Sequence, residues 1–299
     1  MATELPPKKG VAYTTIVVLL VLVAIVVCAP TVTSEALVPA TEPDTTRWFL
    51  PLIVNSLDSR KGVAGVMADT MNLTDVSAIW HHHWSPCWPP NYRCVDMFKL
   101  IDPNVAWLTE QAVIDTAEDC ASGYIGFGDE WVLQGKSWDY QLEQTHRFIE
   151  LARGANPDCR IIFGGVLTWH PDTGDAGLDW IGDFRSLYVT RYGEPPDVDG
   201  LMFDTYHWGT RDLAGQVIAA DSLVRQHYGQ DVELWLRETG SLASTWRAKQ
   251  AVDRLATVEH LLDRWAFFVT HDDGQFTPFS LWDASGALTS LGEKYRDTR

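Results

Sequence analysis

From Lys61 to the C-terminus, short runs rich in β-branched and aromatic residues alternate with longer stretches in which apolar residues recur every three or four positions. The β-rich runs cover residues 62–67, 76–84, 104–110, 123–130, 160–168, 199–208, 232–240 and 277–283. Helical periodicity is clearest over Trp138–Gly154, Leu178–Tyr192, Leu213–Tyr228 and Ala248–Thr270. Sustained strand–helix alternation predicts a parallel sheet. Eight such units closed on themselves make a single α/β domain, a (β/α)8 TIM barrel, about 250 residues in its usual form. A doubly wound sheet is the alternative, but the glycine-rich dinucleotide loop that would favour it does not follow the first run.

Upstream the pattern changes. Residues 11–29 carry no charge, are mostly apolar and follow Lys8 and Lys9. As a helix this stretch would reach about 28 Å, enough for a bilayer core. The lysines stay on the cytoplasmic side, so the rest of the chain is expected outside the cytoplasm. Residues 1–29 are either a cleaved signal peptide, giving a secreted protein, or a membrane anchor, giving a tethered one. Residues 30–56 open on a stretch rich in Pro, Thr and Glu and read as a linker, with 57–299 as the barrel domain. Membrane contact is expected only through the first segment.

The chain has 40 acidic and 23 basic residues and a formal net charge of −17. That balance argues against a nucleic-acid partner, which needs a concentrated basic face. Fourteen tryptophans among 299 residues exceed what a core needs and suggest exposed stacking surfaces. Apart from Cys28 in the apolar segment, four cysteines remain, an even number suited to two disulfides in an oxidising compartment. Three pairings are possible. Cys87–Cys94 would close a Pro-rich loop, and Cys120 and Cys159 each stand just before a strand, so Cys87–Cys94 with Cys120–Cys159 is the expected set. A metal site around His81, His82 and His83 is the rival reading, but no CxxC or HExxH spacing is present, and no metal or other cofactor is expected.

A barrel places its chemistry at the C-terminal ends of its strands. Polar and aromatic residues gather there: His83-Trp84, Asp129-Glu130-Trp131, Thr168-Trp169-His170, Asp204 to Trp208, Arg237-Glu238-Thr239 and Trp282-Asp283. Glu130 and Glu238 end the fourth and seventh strands and can face one molecule from two sides. Two carboxyls flanking an acetal are what glycoside hydrolysis needs, one protonated to release the leaving oxygen and one ionised to attack or to activate water. Around them His83, Trp84, Asp129, Trp131, Trp169, Tyr206, His207, Trp208 and Trp282 are candidate sugar contacts. Trp131 and Trp282 lead for stacking, and Trp107, Trp180 and Trp265 are assigned to the core. Strand alternation turns Arg237 away from the mouth.

The segments GDEW and LWLRETG resemble the acid/base and nucleophile strands of clan A glycoside hydrolases, which are retaining (β/α)8 enzymes. VSAIWHHHWSP resembles the second strand of glycoside hydrolase family 128, endo-β-1,3-glucanases, and the closing LWDASGALTSLGEKY is similar to the ending of many clan A barrels. The likeness spans about Lys61 to Tyr295. It implies Glu130 as general acid/base, Glu238 as nucleophile and a β-linked polysaccharide or oligosaccharide substrate such as β-1,3-glucan. Asp129 stands where the family has Asn, Trp131 where Pro is common, His83 where the family has Asn, and Asp204-Thr205-Tyr206 where it has His-x-Tyr. Those departures motivate a second reading, a carbohydrate-binding barrel without catalysis; a metal-dependent polysaccharide-modifying hydrolase is the third. For the enzyme, Tyr206 is expected to orient Glu238 and keep it ionised, while Asp129 and Trp131 raise the pKa of Glu130.

Overall fold

The computed structural model describes residues 60–65, 72–83, 93–207, 212–241, 243–268 and 279–298. The expected leader, the linker, Trp84, Cys87 and Trp208 lie outside the described residues. Among those described, no helix is long and apolar enough to cross a membrane.

Eight strands form a closed barrel in chain order: β1 (Lys61–Ala64), β2 (Trp80–His83), β3 (Cys94–Phe98), β4 (Tyr124–Phe127), β5 (Arg160–Leu167), β6 (Gly200–Tyr206), β7 (Glu233–Gly240) and β8 (Arg264–Phe268). Each is parallel to its successor, and β8 closes on β1. The helices described are α1 (Glu110–Asp119), α2 (Trp138–Ala155), α3 (Ala176–Tyr192), α4 (Leu213–His227), α5 (Thr245–Leu255) and α6 (Ser290–Asp297). Side-chain oxygens cap several of them: Thr109 accepts from Ala112 N, Ser137 from Tyr140 N, Ser244 from Arg247 N and Thr289 from Gly292 N.

The two-residue alternation of the strands divides the apolar residues into two cores. Trp80, Met97, Ile162, Met202, Trp235, Ala266 and Phe268 fill the barrel. Phe127, Phe163, Phe203, Leu236, Trp265 and Phe267 point outward under the helices, where Phe148, Trp180 and Phe184 meet them.

Two strands differ from expectation. The third is Cys94–Phe98, not 104–110. Asp102 accepts from Asn104 N and Thr109 caps α1, so local turn and cap hydrogen bonds take up the backbone that looked β-rich. The eighth is Arg264–Phe268, inside the stretch expected as one long helix over 248–270. That helix stops at Leu255, and RWAFF then alternates, Trp265 and Phe267 outward and Ala266 and Phe268 inward. In the run that looked like strand eight, the described residues contribute an isolated antiparallel bridge between Trp282 and Leu288 and no barrel strand.

Cys120 and Cys159 are disulfide-bonded, with Cα atoms 5.9 Å apart. Cys94 is also disulfide-bonded, and Cys87, the partner expected for it, lies outside the described residues.

Candidate active site at the C-terminal mouth

β4 ends at Phe127 and the chain leaves through Gly128, Asp129 and Glu130. Gly128 N donates to Phe98 O (2.8 Å) and Glu130 N to Gly165 O (2.7 Å), which ties this exit to β3 and β5. Glu130 has φ of 40°, in the left-handed region. The other non-glycine residues in that region among those described, Ser77 and Cys120, end helical turns. Glu130 ends none, and strain without a capping role is characteristic of functional positions. β7 supplies Glu238, whose buried Oε2 accepts a hydrogen bond from Tyr206 Oη at 2.5 Å.

A guanidinium lies among these acids. Arg237 Nε donates to Asp204 Oδ1 (3.0 Å), and Nη2 donates to Asp204 Oδ2 and to Asp129 Oδ1 (3.2 Å) while lying 3.6 Å from Glu238 Oε1. Nη1 donates to Gly128 O (3.0 Å). Alternation turned this side chain outward; the structure places it inside, fully buried with Asp204.

Four carboxyls thus share one buried cation. Burial, then the charges of Asp204, Asp129 and Glu238, push Glu130 well above the usual carboxylate range, and Arg237 only partly opposes them. Burial and then Asp204 push Glu238 up to about 8, against Arg237 and the Tyr206 hydroxyl. The Tyr206 bond expected to keep Glu238 ionised is present, but burial outweighs it. Asp204 is also raised by burial, despite Arg237.

The aromatic candidates divide. Trp131 is buried against Phe127, Tyr140 and Phe163, with its indole N–H on Lys99 O (3.1 Å); it faces the helices, not the mouth. Trp282 is likewise buried in the outer core, because its segment is not a barrel strand. Neither can stack on a sugar as placed. Trp169 is half-buried just past β5. His207 shares a hydrogen bond with Gln250 of α5 and is held below its usual pKa by burial, so it is turned away from Tyr206 and the glutamates. On β2 the imidazole reaching the interior is His82, stacked on Trp80, with Nε2 2.9 Å from Arg237 O. The side chain of His83 lies outside what is described.

Trp180 and Trp265 are core, as expected, but Trp107 is 51% exposed. It lies on the connection from β3 to α1, while Trp138 (38%) and Trp246 (65%) stand in the first turns of α2 and α5, which follow β4 and β7, so all three belong to the C-terminal side of the barrel. Arg237 and Asp204, noted only as polar strand endings, and His82, named only in the alternative metal reading, were not among the catalytic or sugar-contact candidates read from the sequence. Among the described residues no group of three or more His, Cys, Asp or Glu side chains is arranged to hold a metal ion.

No family profile matches the chain, and no curated protein is similar to it in sequence. Solved structures are similar in fold. A glycoside hydrolase family 128 (subgroup II) endo-β-1,3-glucanase from Pseudomonas viridiflava matches with a TM-score of 0.61 at 20% identity, over 81% of this chain and 98% of the other. A subgroup III curdlan-specific exo-β-1,3-glucanase from Blastomyces gilchristii gives 0.60 at 16% identity, over 81% and 100%. A subgroup IV endo-β-1,3-glucanase from Lentinula edodes gives 0.56 at 12% identity, over 80% and 99%. The family whose strand motifs the sequence resembles thus also stands among its structural neighbours.

Proposed function

We propose that this chain is a retaining glycoside hydrolase acting on a β-linked glucan, β-1,3-linked by preference. The observation that carries the reading is the pair of glutamates at the ends of β4 and β7, one on a strained backbone and one held by Tyr206. Glu130, pushed well above the usual carboxylate range by burial and by the charges of Asp204, Asp129 and Glu238, keeps its proton and gives it to the glycosidic oxygen as that bond breaks. Glu238, oriented by Tyr206 and Arg237, attacks the anomeric carbon and forms a glycosyl ester. Glu130, now ionised, takes a proton from water, which attacks the anomeric carbon, breaks its bond to the Glu238 carboxylate oxygen and frees Glu238. Positive charge developing on the sugar ring favours ionised Glu238, lowering the proton affinity that burial gives it in the empty site. The likeness to β-1,3-glucanases supports the choice of linkage, and the exposed tryptophans on the C-terminal side of the barrel would suit the apolar faces of sugar rings.

The uncharged, mostly apolar stretch 11–29 behind Lys8 and Lys9 and the disulfide between Cys120 and Cys159 support action outside the cytoplasm, with membrane contact only through residues 1–29. A carbohydrate-binding barrel without catalysis is the second reading. It is favoured by Glu238 being pushed up to about 8, which leaves the nucleophile largely protonated at neutral pH in the empty site.

The test is hydrolysis of β-1,3-glucan, mannan and xylan, with product chain length and the anomeric configuration of the first product read by NMR. Retained configuration in the parent protein, and loss of turnover in Glu130→Ala and Glu238→Ala variants that still bind glucan, supports the enzyme. Inversion refutes the retaining assignment. Glucan binding without turnover in the parent protein leaves the binding module.

A further inference from the structure

β7 carries one residue more than its neighbours at the mouth. Against β6, Leu236 pairs with Phe203 and Glu238 with Asp204, so Arg237 is the extra residue. Against β8 the register slips between Leu236 and Thr239. β5 has its own irregularity: Gly164 pairs with Met202 and Val166 with Phe203, which leaves Gly165 extra. The two extra residues meet. A Cβ on Gly165, whose φ is +69°, would lie 2.8 Å from Arg237 Nη1 and 2.9 Å from Gly128 O. Regular alternation would turn either Arg237 or Glu238 out of the barrel; the bulge lets both reach its interior.

Stability alone explains this poorly, because a buried ion pair is seldom better than apolar residues of the same volume. The contacts explain it better. One guanidinium reaches Asp204 on β6, Gly128 O and Asp129 on the exit from β4, Gly165 O on β5 (3.5 Å) and Glu238 on its own strand. His82 of β2 holds the Arg237 carbonyl, and Lys99 stands 4.0 Å behind Asp129. Tyr206 and Glu130 complete the charged or titratable groups described around it.

We propose that Arg237, held by Asp204, is the positioning residue of the site: it fixes the direction of the Glu238 carboxyl and the stance of the Gly128–Glu130 exit, and with Asp204 sets the charge against which the two glutamates share their protons. The catalytic consequence rests on the hydrolase reading; the electrostatic one does not. Arg237 lowers the proton affinity of Glu130 and Glu238, and Asp204 raises both. Removing either therefore moves both glutamates, in opposite directions.

The experiment is carboxyl 13C NMR titration of Glu130 and Glu238, assigned with their Gln variants, beside pH–rate curves on β-1,3-glucan. Arg237→Met should raise both titrations, and Asp204→Asn lower them, each by more than about one pH unit. The limbs of the rate curve should move with them. Arg237→Lys keeps the charge without the planar fork, so its titrations should stay near the parent's while kcat falls about tenfold or more at little-changed KM. Should Arg237→Met not fold, the nearly isosteric Asp204→Asn and Arg237→Lys carry the test. Titrations unmoved in Asp204→Asn, or moving the same way in both neutral variants, would overturn the proposal, as would full kcat in Arg237→Lys. Titrations that shift as expected in a protein with no turnover would uphold the charge assignment and overturn the hydrolase reading instead.

Discussion

The two ends of the barrel use charge in opposite ways. At the N-terminal end each cation has its partners. The Arg264 guanidinium lies over the rings of Tyr124 (4.5 Å), Trp235 (4.9 Å) and Trp80 (5.7 Å). Arg160 pairs with Glu233, which also accepts from the Trp235 indole (2.7 Å). Lys61 Nζ donates to the carbonyls of Tyr295, Arg296 (3.3 Å) and Thr298 (2.9 Å), fastening the last helix under β1. Cys120 and Cys159 cross-link the chain just before β4 and β5. At the C-terminal end one arginine faces four carboxyls, and Glu130 stands on a left-handed backbone. The closed end resolves its charges and the mouth leaves them unresolved, the division between fold and function that this barrel architecture allows.

The largest effect that would break this comparison is at Glu238. On the proposed mechanism, Glu238→Gln should lower turnover by on the order of 10⁴-fold or more, the effect of removing a nucleophile. The same change should stabilise the fold at alkaline pH. Glu238 in the folded protein is raised to about 8 from its ordinary 4.5, so its contribution to stability is complete below the ordinary value and is lost as pH rises through about 8. Thermal melts should match near pH 5 and favour Glu238→Gln by several degrees near pH 9, at about 2–4 °C per kcal/mol. Equal melts at both pH values would mean that Glu238 is not under electrostatic strain.

At the closed end the expectation reverses: stability falls and chemistry stays. The Cys120–Cys159 bridge closes a separation of 39 residues, and its loss in a double Ser variant should cost about 2–4 kcal/mol. Arg264→Ala removes a cation shared by three rings and should cost about 1–2 kcal/mol. Chemical denaturation reads both, and kcat on glucan should stay within about twofold. A large loss of kcat in folded protein would show that the two ends are coupled.

The sequence displayed the closed end and the barrel better than the mouth. The bounds of strands β4 to β7, and of the helices that follow β4, β5 and β6, fall within a few residues of expectation because their β-rich runs and helical periodicity are clear. The helix after β7, in contrast, stops at Leu255. At β3 and β8 a rival pattern beside the strand misled the reading: the turn around Asp102 held the β-rich residues for β3, and the helical spacing upstream of Arg264 ran on into β8. The placement of Glu130 and Glu238 near the C-terminal ends of β4 and β7 was legible, because strand bounds and residue type suffice to find it. Arg237 was not, because counting by twos fails when one strand gains a residue, and nothing local to LWLRETG announces a bulge. Gly164-Gly165 on β5 was the available signal: paired glycines inside a strand mark a bulge or a close approach. Trp131 and Trp282 failed for another reason. Whether a tryptophan at a strand end stacks on a ligand or under a helix depends on the connection that follows, which its own position does not encode.

The smallest effect sharpens the comparison most, because it changes one atom type at the mouth. Asp129 has a side chain largely shielded from solvent, 3.2 Å from Arg237 Nη2 and 4.0 Å from Lys99. Its charge is among those that raise Glu130, behind burial and Asp204. Asp129→Asn keeps the shape and removes that charge, so Glu130 should lose its proton at lower pH. In a retaining enzyme the alkaline limb reports the acid/base, and it should therefore move down, by less than about one pH unit because burial and Asp204 remain. The acidic limb should move down as well and by less, since Asp129 comes last among the groups acting on Glu238, after burial, Asp204, Arg237 and Tyr206. A pH–rate curve with both limbs fixed and kcat lowered would make Asp129 a contact of the substrate or of the Gly128–Glu130 exit. A curve displaced as a whole toward acid, with kcat preserved, would make it a tuner of the mouth's charge, the property that separates this end of the barrel from the other.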